Sequence, residues 1–421
     1  MWIGGGISGM GEIPILGVKA KGLTSLIRKI FYSGTEGFAY DPNDLTTMFQ
    51  DAAGIVPVTA VGQPVGLMLD KSNGLVLGSE LVDKTIVPSS WTLYGANTAT
   101  SPDVNIVSLN YVDKTTLGLL ILNAAKALNT DIRNSGWYEV SLDIKVPNGQ
   151  VWIQVAEVPN NKAQLITPLE SYKRVTWKIL TGVSIPQIHV FGSAGTVPSS
   201  VLIKNISVKK LHGNHAFQTV SASRPILQRN DTTGAYYLAF DGVDDYLQTN
   251  NIDFTSTDKV SLFAGVQKLS DATRGVLVHT GSSTPNPGVL GNFDLEAPSF
   301  ELKGYSVTLP GALGNFDAKN STATAPHSAV LSAKLWQSAP SISSSIQLKV
   351  NNILAPVFGG GATLPGNFGN LPMCIGRRGG AALAFNGHIY SLIGIGRLTT
   401  DSETIALEKF IAKNTGVTLS V

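Results

Sequence analysis

From about residue 213 onward, the chain is a succession of short β-rich runs separated by Gly, Pro, Asn or Asp. In the run Ser345–Val350, apolar residues alternate strictly with polar ones, as on a strand that buries one face. The other runs are Tyr236–Phe240, Val260–Gln267, Gly275–Thr280, Ser299–Lys303, Ala329–Trp336 and His388–Gly396. This spacing predicts antiparallel sheets packed as a sandwich. Thr400–Glu403 is a capping box that predicts a closing helix.

The composition supports a turn-rich, multi-domain protein. The chain has 421 residues, of which 44 are Gly and 21 are Pro, and only 14% are charged. A net charge of +2 gives no electrostatic footprint for nucleic acid, so we expect no nucleic-acid partner. No apolar run is long enough for a membrane span. The single cysteine, Cys374, excludes an internal disulfide and does not support a Cys-based zinc cluster.

A second β-rich block lies between residues 75 and 210. Turn signals at Pro147–Gly149 and Pro159–Asn161 separate its strands. The predicted strands are Trp137–Val146, Gln150–Val158, Tyr172–Ile179, Gln187–Phe191 and Val201–Val208. Their length and spacing are typical of a jelly-roll sandwich.

The N-terminal segment, residues 1–32, differs from the rest. Its first twenty residues are Gly-rich and apolar, and an amphipathic helix is predicted over 23–31, with Arg28 and Lys29 on its polar side. Two interpretations remain open: the helix packs on its own domain, or the segment attaches the protein to a partner chain. A membrane-surface helix fits less well, because the cationic face is short. The terminus does not resemble a secretory signal, so synthesis in a cytoplasm is expected.

Several motifs carry a family resemblance. Phe240–Leu247 resembles the turn and strand of laminin-G-like, concanavalin A-like lectin domains. Phe385–Tyr390, followed by the Thr400–Phe410 helix, resembles the last strand and C-terminal helix of that family.

The opening motifs of the same family resemble two separate stretches of this chain. Tyr40–Asp44 and Asp70–Gly74 come early, whereas Gly213–Ala216 and Arg224-Pro225 come much later. The resemblance therefore implies one concanavalin A-like sandwich built from 33–74 and 211–421, split by an inserted domain at 75–210. The predicted fold is all-β: two antiparallel sandwiches, one inserted into the other, preceded by a short helical attachment segment.

The inserted block has its own resemblance. The stretch from Gly136–Tyr138 to Leu202–Val208 is similar to galactose-binding-like carbohydrate-binding modules. Alternation places Trp137 and Trp152 on the polar side of their strands, so we expect both rings to face solvent. Sugars stack on exposed aromatic rings while amides and carboxylates bind their hydroxyls. The predicted glycan-binding residues are Trp137, Trp152, Gln154, Glu139, Gln187 and His189. Alternatively, a loop or a neighbouring subunit covers the two rings.

Phe49–Asp51 followed by Pro57–Gly66 is similar to the opening of tailed-phage virion proteins. This resemblance implies a virion structural protein, of the tail-fibre or receptor-binding type, made in the host cytoplasm. Its expected partners are other virion proteins, through residues 1–32, and a host-surface polysaccharide or receptor. A homo-oligomer is expected, and a trimer fits a fibre although no heptad repeat supports one. The structural alternative is a capsid or tail decoration protein that makes only protein–protein contacts.

No catalytic motif is present, so we expect no enzyme and no cofactor. A polysaccharide-degrading enzyme remains an alternative, since the carboxylates cannot be paired across a cleft from sequence. Asp241, Asp244 and Asp245 could form a calcium turn, but in the resembled family this motif shapes a turn. We therefore expect no metal site.

Overall fold

The computed structural model describes residues 23–32, 34–112, 116–123, 125–193, 198–281, 293–297, 299–304, 316–358, 366–379 and 382–420. These residues form antiparallel sheets stacked as two sandwiches, one of them inserted into the other, which confirms the predicted fold class.

The strands are short and follow one another along the chain. The early strands are β1 (Gly37–Tyr40), β2 (Met48–Phe49), β3 (Leu67–Met68), β4 (Leu77–Glu80), β5 (Thr92–Leu93), β6 (Thr98–Asp103), β7 (Ile106–Asn110), β8 (Thr116–Ile121), β9 (Trp137–Lys145) and β10 (Val151–Ala156). Next come β11 (Gln164–Ile166), β12 (Lys173–Leu180), β13 (Gln187–Gly192), β14 (Ser200–Leu211), β15 (Ala216–Phe217), β16 (Ile226–Arg229), β17 (Tyr236–Asp241), β18 (Leu247–Asp253), β19 (Lys259–Lys268) and β20 (Gly275–Thr280). The last are β21 (Phe293–Ala297), β22 (Glu301–Gly304), β23 (Phe316–Lys319), β24 (His327–Trp336), β25 (Ile346–Val350), β26 (Ile353–Leu354), β27 (Val357–Phe358), β28 (Asn370–Ile375) and β29 (Asn386–Ile395).

The larger sandwich contains both ends of the described chain. One sheet has the order β16-β17-β29-β19-β24-β25-β26, with β1 also paired to β29. The facing sheet has the order β2-β3-β15-β18-β28-β20-β21-β22-β23-β27. Apolar side chains of alternate residues meet between the two sheets, including Phe38, Leu262, Leu331 and Ile389.

The two separated opening stretches lie side by side in this sandwich. Strand β3 pairs with β15, which places Met68 opposite Ala216 and Leu67 opposite Phe217. Met68 and Ala216 point into the main core, whereas Leu67 and Phe217 lie on the other face of the sheet. Residues distant in sequence therefore form one continuous sheet.

The smaller sandwich lies within the insertion. Its sheets have the orders β11-β10-β13-β8-β5 and β12-β9-β14-β7-β6, with β4 paired to β14. The alternate residues Tyr138, Val140, Leu142 and Ile144 of β9 are buried in its core, as the alternation predicts. The chain runs into the insertion along β4 and out along β14, and these strands pair antiparallel with Leu77 opposite Leu211.

The amphipathic helix α1 (Leu23–Phe31) packs on its own chain. Its buried side chains Ile27 and Ile30 join Phe263, Ile393 and Ile411 in one apolar cluster. The structure therefore supports the interpretation that the helix packs on its own domain. Residues 1–22, the rest of the predicted attachment segment before the helix, lie outside the described residues. The other helices are α2 (Ile342–Ser345) and α3 (Asp401–Thr415). None of the described helices is long and apolar enough to cross a bilayer.

Glu403, in the first turn of α3, joins this helix to α1. Its carboxylate accepts two hydrogen bonds of 2.8 Å from Arg397, which also donates to the carbonyl of Ile30. Mainly through the hydrogen bond from Arg397, the pKa of Glu403 is lowered to about 2 from 4.5. The predicted capping box is formed, because Thr400 and Glu403 exchange side-chain to backbone hydrogen bonds.

This ion pair predicts a stability loss in acid. Because the folded-state pKa of Glu403 is depressed, its contribution is complete above pH 4.5 and declines as the pH falls towards 2. We expect Glu403→Gln to remove about 1–2 kcal/mol at pH 7, after allowance for solvent screening, and to flatten this acid dependence. Chemical unfolding between pH 7 and pH 2.5 measures the effect, with Asp401→Asn, an exposed carboxylate in the same turn, as control. Parallel curves for wild type and Glu403→Gln would contradict it.

Candidate functional site

The structure divides the six predicted glycan-binding residues between two sheets. Trp152 and Gln154 lie on β10, and Gln187 and His189 lie on the neighbouring strand β13. Trp137 and Glu139 lie on β9, which belongs to the other sheet of the smaller sandwich. Only four of the six residues are therefore brought together.

Those four residues share the outer face of the five-stranded sheet. In β10, Val151, Ile153 and Val155 are buried in the core, so the intervening Trp152 and Gln154 point outward. The strand register places Gln154 opposite His189, and Ala156 opposite Gln187. Because both outward residues of β10 are partly exposed, their side chains are within reach of a ligand. We call this surface the Trp152 face.

Two further apolar residues belong to the Trp152 face and were not predicted. Phe191 on β13 and Leu165 on β11 lie opposite Trp152 on its two sides. Phe191 is partly exposed, and Leu165 is 40% exposed. Phe191 could have been found from sequence, because it follows Gln187 and His189 at the period of two that defines one strand face. Leu165 could not, since its strand pairing is set by the fold.

The polar part of the Trp152 face is uncharged at neutral pH. His189 and Gln187 form a hydrogen bond of 2.9 Å between Nε2 and the amide oxygen. Burial lowers the pKa of His189, although Glu157 acts in the opposite direction. A neutral imidazole that donates through Nε2 leaves Nδ1 as an acceptor, and the amide groups supply both donors and acceptors. The face therefore combines aromatic surface with neutral hydrogen-bonding groups.

Trp137 is not exposed, so the prediction that its ring faces solvent is wrong. The side chain is 2% exposed and packs edge-on against His215 and Phe217, with ring centroids 5.4 Å apart in both pairs. Leu67 and Leu211 belong to the same apolar cluster, together with Ala52, Leu69 and Leu180. This part of the polar side of β9 is covered by the larger sandwich, so Trp137 holds the two sandwiches together.

Glu139 is also separate from the Trp152 face. Its carboxylate pairs with the ammonium of Lys178 at 3.3 Å, directly across from it on β12. The backbone N–H of Lys178 in turn donates to the carbonyl of Ala53, in the segment that precedes the insertion. Glu139 therefore belongs to the junction between the sandwiches and not to the Trp152 face.

The acidic turn of the larger sandwich is organised by its own hydrogen bonds. The Asp241 carboxylate accepts from the backbone N–H groups of Val243 and Asp244, at 2.8 and 3.2 Å. Burial, together with the charge of Asp241, raises the pKa of Asp245 to about 6. The carboxylate oxygens of Asp241, Asp244 and Asp245 lie within 4.8 Å of one another. These bonds are those of a shaped turn, which is the role that the resemblance implies.

A group of buried charges lies on the outer face of the ten-stranded sheet. The Asp294 carboxylate bonds to His279 and, at 2.9 Å, to Arg378, while Glu296 bonds to Arg274 and lies 3.4 Å from Lys303. Although burial raises it, these partners hold the pKa of Asp294 below its usual value. A general acid requires a raised pKa, so this arrangement is that of a structural ion-pair network.

Comparison with known proteins gives only distant likenesses. No protein-family model and no curated protein matches the chain. Among solved structures, the chain is similar to the carbohydrate-binding module of Ruminococcus gnavus IT-sialidase bound to α2,3-sialyllactose. That match has 15% identity and a TM-score of 0.28, and covers 38% of this chain and 97% of the other.

Two other solved structures cover more of the chain. Domains LG4-5 of the mouse laminin α1 chain match with 14% identity and a TM-score of 0.29, covering 73% of this chain and 96% of theirs. A truncated AlyQ with CBM32 and alginate lyase domains matches with 8% identity and a TM-score of 0.25, covering 79% and 97%. At such scores the likenesses are weak, and the sandwich fold is established by the sheets and cores described above.

Proposed function

We propose that the protein binds glycans through the Trp152 face. The observation that supports this proposal is the outward, partly exposed ring of Trp152 beside Phe191, with Gln154 and the Gln187–His189 pair along the same face. An aromatic ring offers an apolar surface to the C–H groups of a sugar, and the amides bind its hydroxyls. A flat face of this kind binds weakly at one site, so several copies acting together provide the useful affinity.

We expect Trp152→Ala to weaken glycan binding about tenfold, because it removes the stacking surface and leaves the sheet intact. A glycan array identifies a ligand, and isothermal titration with that glycan measures the change. Tyr172→Ala is the matched control, since Tyr172 is also a partly exposed aromatic residue but lies just before β12 in the other sheet. Equal affinity of wild type and Trp152→Ala would refute the proposal.

We further propose that the protein is a phage tail or virion protein that attaches to the host surface. The sequence resemblance supports this proposal. It includes a virion location, attachment to other virion proteins through residues 1–32, and assembly as a homo-oligomer. We also propose that residues 33–74 and 211–421 form one domain and that residues 75–210 form the inserted domain. Immunogold labelling of particles tests the location. An exposed Trp152 ring in the assembled particle would favour receptor binding, and a covered ring would favour a decoration role. Trp137 cannot make this distinction, because it is covered within its own chain.

We also propose that the protein is not an enzyme. The support is the full pairing of Asp294 and Glu296 with cationic partners in the buried network. Incubation with host polysaccharide, followed by a reducing-end assay, is expected to show no release. Release that depends on Asp294 or Glu296 would overturn this part of the proposal.

A further inference from the structure

A polar cleft of about 280 Å³ lies between the two sandwiches, away from the Trp152 face. Its walls come from three parts of the chain. Glu36 lies before β1 and Asn250 lies on β18, whereas Trp137 and Lys210 lie on β9 and β14 of the insertion and His212 directly follows β14. Ligand sites occur preferentially where domains meet, and this volume is close to the lower end of their usual range, about 300–1,000 Å³.

Four polar side chains that line the cleft have no partner among the described residues. The carboxylate of Glu36, the ammonium of Lys210, the imidazole of His212 and the side-chain amide of Asn250 form no hydrogen bond or ion pair with the residues that the structure describes. The other polar side chains of the lining bond within the protein: Asn73 to Ser72, Ser135 to Ile132, Asn214 to Gly37 and Asn251 to Asn370. Convergent polar groups without partners are typical of a binding site.

Trp137, one of the residues that line the cleft, carries a hydrogen-bond donor without an acceptor. The ring is 2% exposed, and its Nε1 has no acceptor among the described residues. A buried donor left without an acceptor is unfavourable, so an oxygen atom that reaches this N–H from the cleft would be stabilising. Next to it, Gly136 has a φ of +107° and no atom within 4 Å of the position that a Cβ would take. The space around Gly136 is therefore open.

The charges of the cleft select the kind of ligand. An anion would meet Glu36, and a cation would meet Lys210. Burial raises the pKa of Glu36, and the charges of Asp253 and Asp70 raise it further, so negative potential already accumulates on that side. A neutral molecule rich in hydroxyl groups can donate to the carboxylate and accept from the ammonium, the amide and the indole.

We propose that this cleft binds a neutral saccharide unit, as a second site independent of the Trp152 face. The juxtaposition that supports it is that the unpartnered side chains of Glu36, Lys210 and Asn250 line the same cleft as Trp137, whose N–H also has no acceptor. This site combines residues from both sandwiches, whereas the Trp152 face lies within one.

The experiment uses the full chain carrying Trp152→Ala, so that the first site is disabled. Saturation-transfer NMR with glucose, galactose, mannose, N-acetylglucosamine and lactose identifies a bound sugar, and a titration gives its affinity. We expect binding by the Trp152→Ala protein. Adding Trp137→Phe, which removes the N–H and keeps a ring in the junction, is expected to weaken it about five- to tenfold. Asn250→Ala, on the opposite wall, is expected to act similarly without touching the junction cluster.

Thermal unfolding of each variant checks that the junction is intact, and Tyr172→Ala is the binding control. The proposal is overturned if no sugar of the panel binds the Trp152→Ala protein. It is also overturned if adding Trp137→Phe and adding Asn250→Ala both leave the affinity for the sugar equal to that of the Trp152→Ala protein. These outcomes are distinct from failure of the Trp152 face, which is judged by comparing wild type with Trp152→Ala on the glycan found by the array.

Discussion

Replacing Asp70 with alanine is expected to lower the free energy of unfolding by about 3–5 kcal/mol. The Asp70 side chain is completely buried, and its carboxylate accepts hydrogen bonds of 2.8 Å from the backbone N–H groups of Ala39, Ser72 and Asn214. Ser72 adds a fourth bond from its hydroxyl, at 2.7 Å. Alanine would leave two buried backbone donors and one partly buried donor without an acceptor, and would remove the bond from the Asn214 N–H to the Asp70 side chain that links the two separated opening stretches of the larger sandwich.

Urea unfolding followed by far-ultraviolet circular dichroism measures this loss. Asp70→Asn keeps the shape and one acceptor oxygen but places an amino group near backbone donors, so we expect an intermediate effect. Asp253→Ala is the control, because the described hydrogen bonds of that exposed carboxylate go only to the neighbouring Thr255. A loss below about 1 kcal/mol for Asp70→Ala would show that other contacts hold the two stretches together.

The second large effect is expected for Trp137→Ala, at about 3–5 kcal/mol. The substitution leaves a cavity among His215, Phe217 and Leu67, where the sandwiches meet. Because the lost contacts join the two sandwiches, we expect a single unfolding transition to separate into two, with the smaller sandwich unfolding independently.

Differential scanning calorimetry distinguishes a lowered single transition from two separate ones. Trp137→Phe retains most of the apolar packing and should keep the transitions together, while Trp152→Ala, on the outer face, should change stability little. Binding through the Trp152 face is expected to survive Trp137→Ala at temperatures where the smaller sandwich is folded. Stability equal to wild type would show that the junction does not depend on this ring.

The fold was predictable because local periodicity carries most of its information. The alternation in β9 correctly assigns Tyr138, Val140 and Leu142 to the core, since a period of two separates the faces of any strand. The split of the larger sandwich was visible because its opening motifs stand intact on either side of the insertion. Residues of the two motifs lie in contact in the fold: the backbone N–H of Asp70 donates to the imidazole of His215.

The candidate site was only partly predictable, for a different reason. Alternation shows which residues share a face of one strand, but it does not show what covers that face. Trp137 and Trp152 look equivalent in sequence, yet the larger sandwich packs on the first and not on the second. The alternation of apolar and polar residues does not show the order of strands in a sheet either. The predicted glycan-binding set therefore placed Glu139 with residues of the opposite sheet.

The paired strands β4 and β14 have a consequence for how such a protein can change. They bring the two ends of the guest segment together as a ribbon, with Leu77 beside Leu211, before the larger sandwich resumes. A module can replace the present one while the surrounding sheets keep their register if its termini fit that ribbon and its surface packs on Leu67 and Phe217 as Trp137 does. The larger sandwich can therefore carry a different inserted domain without being rebuilt itself.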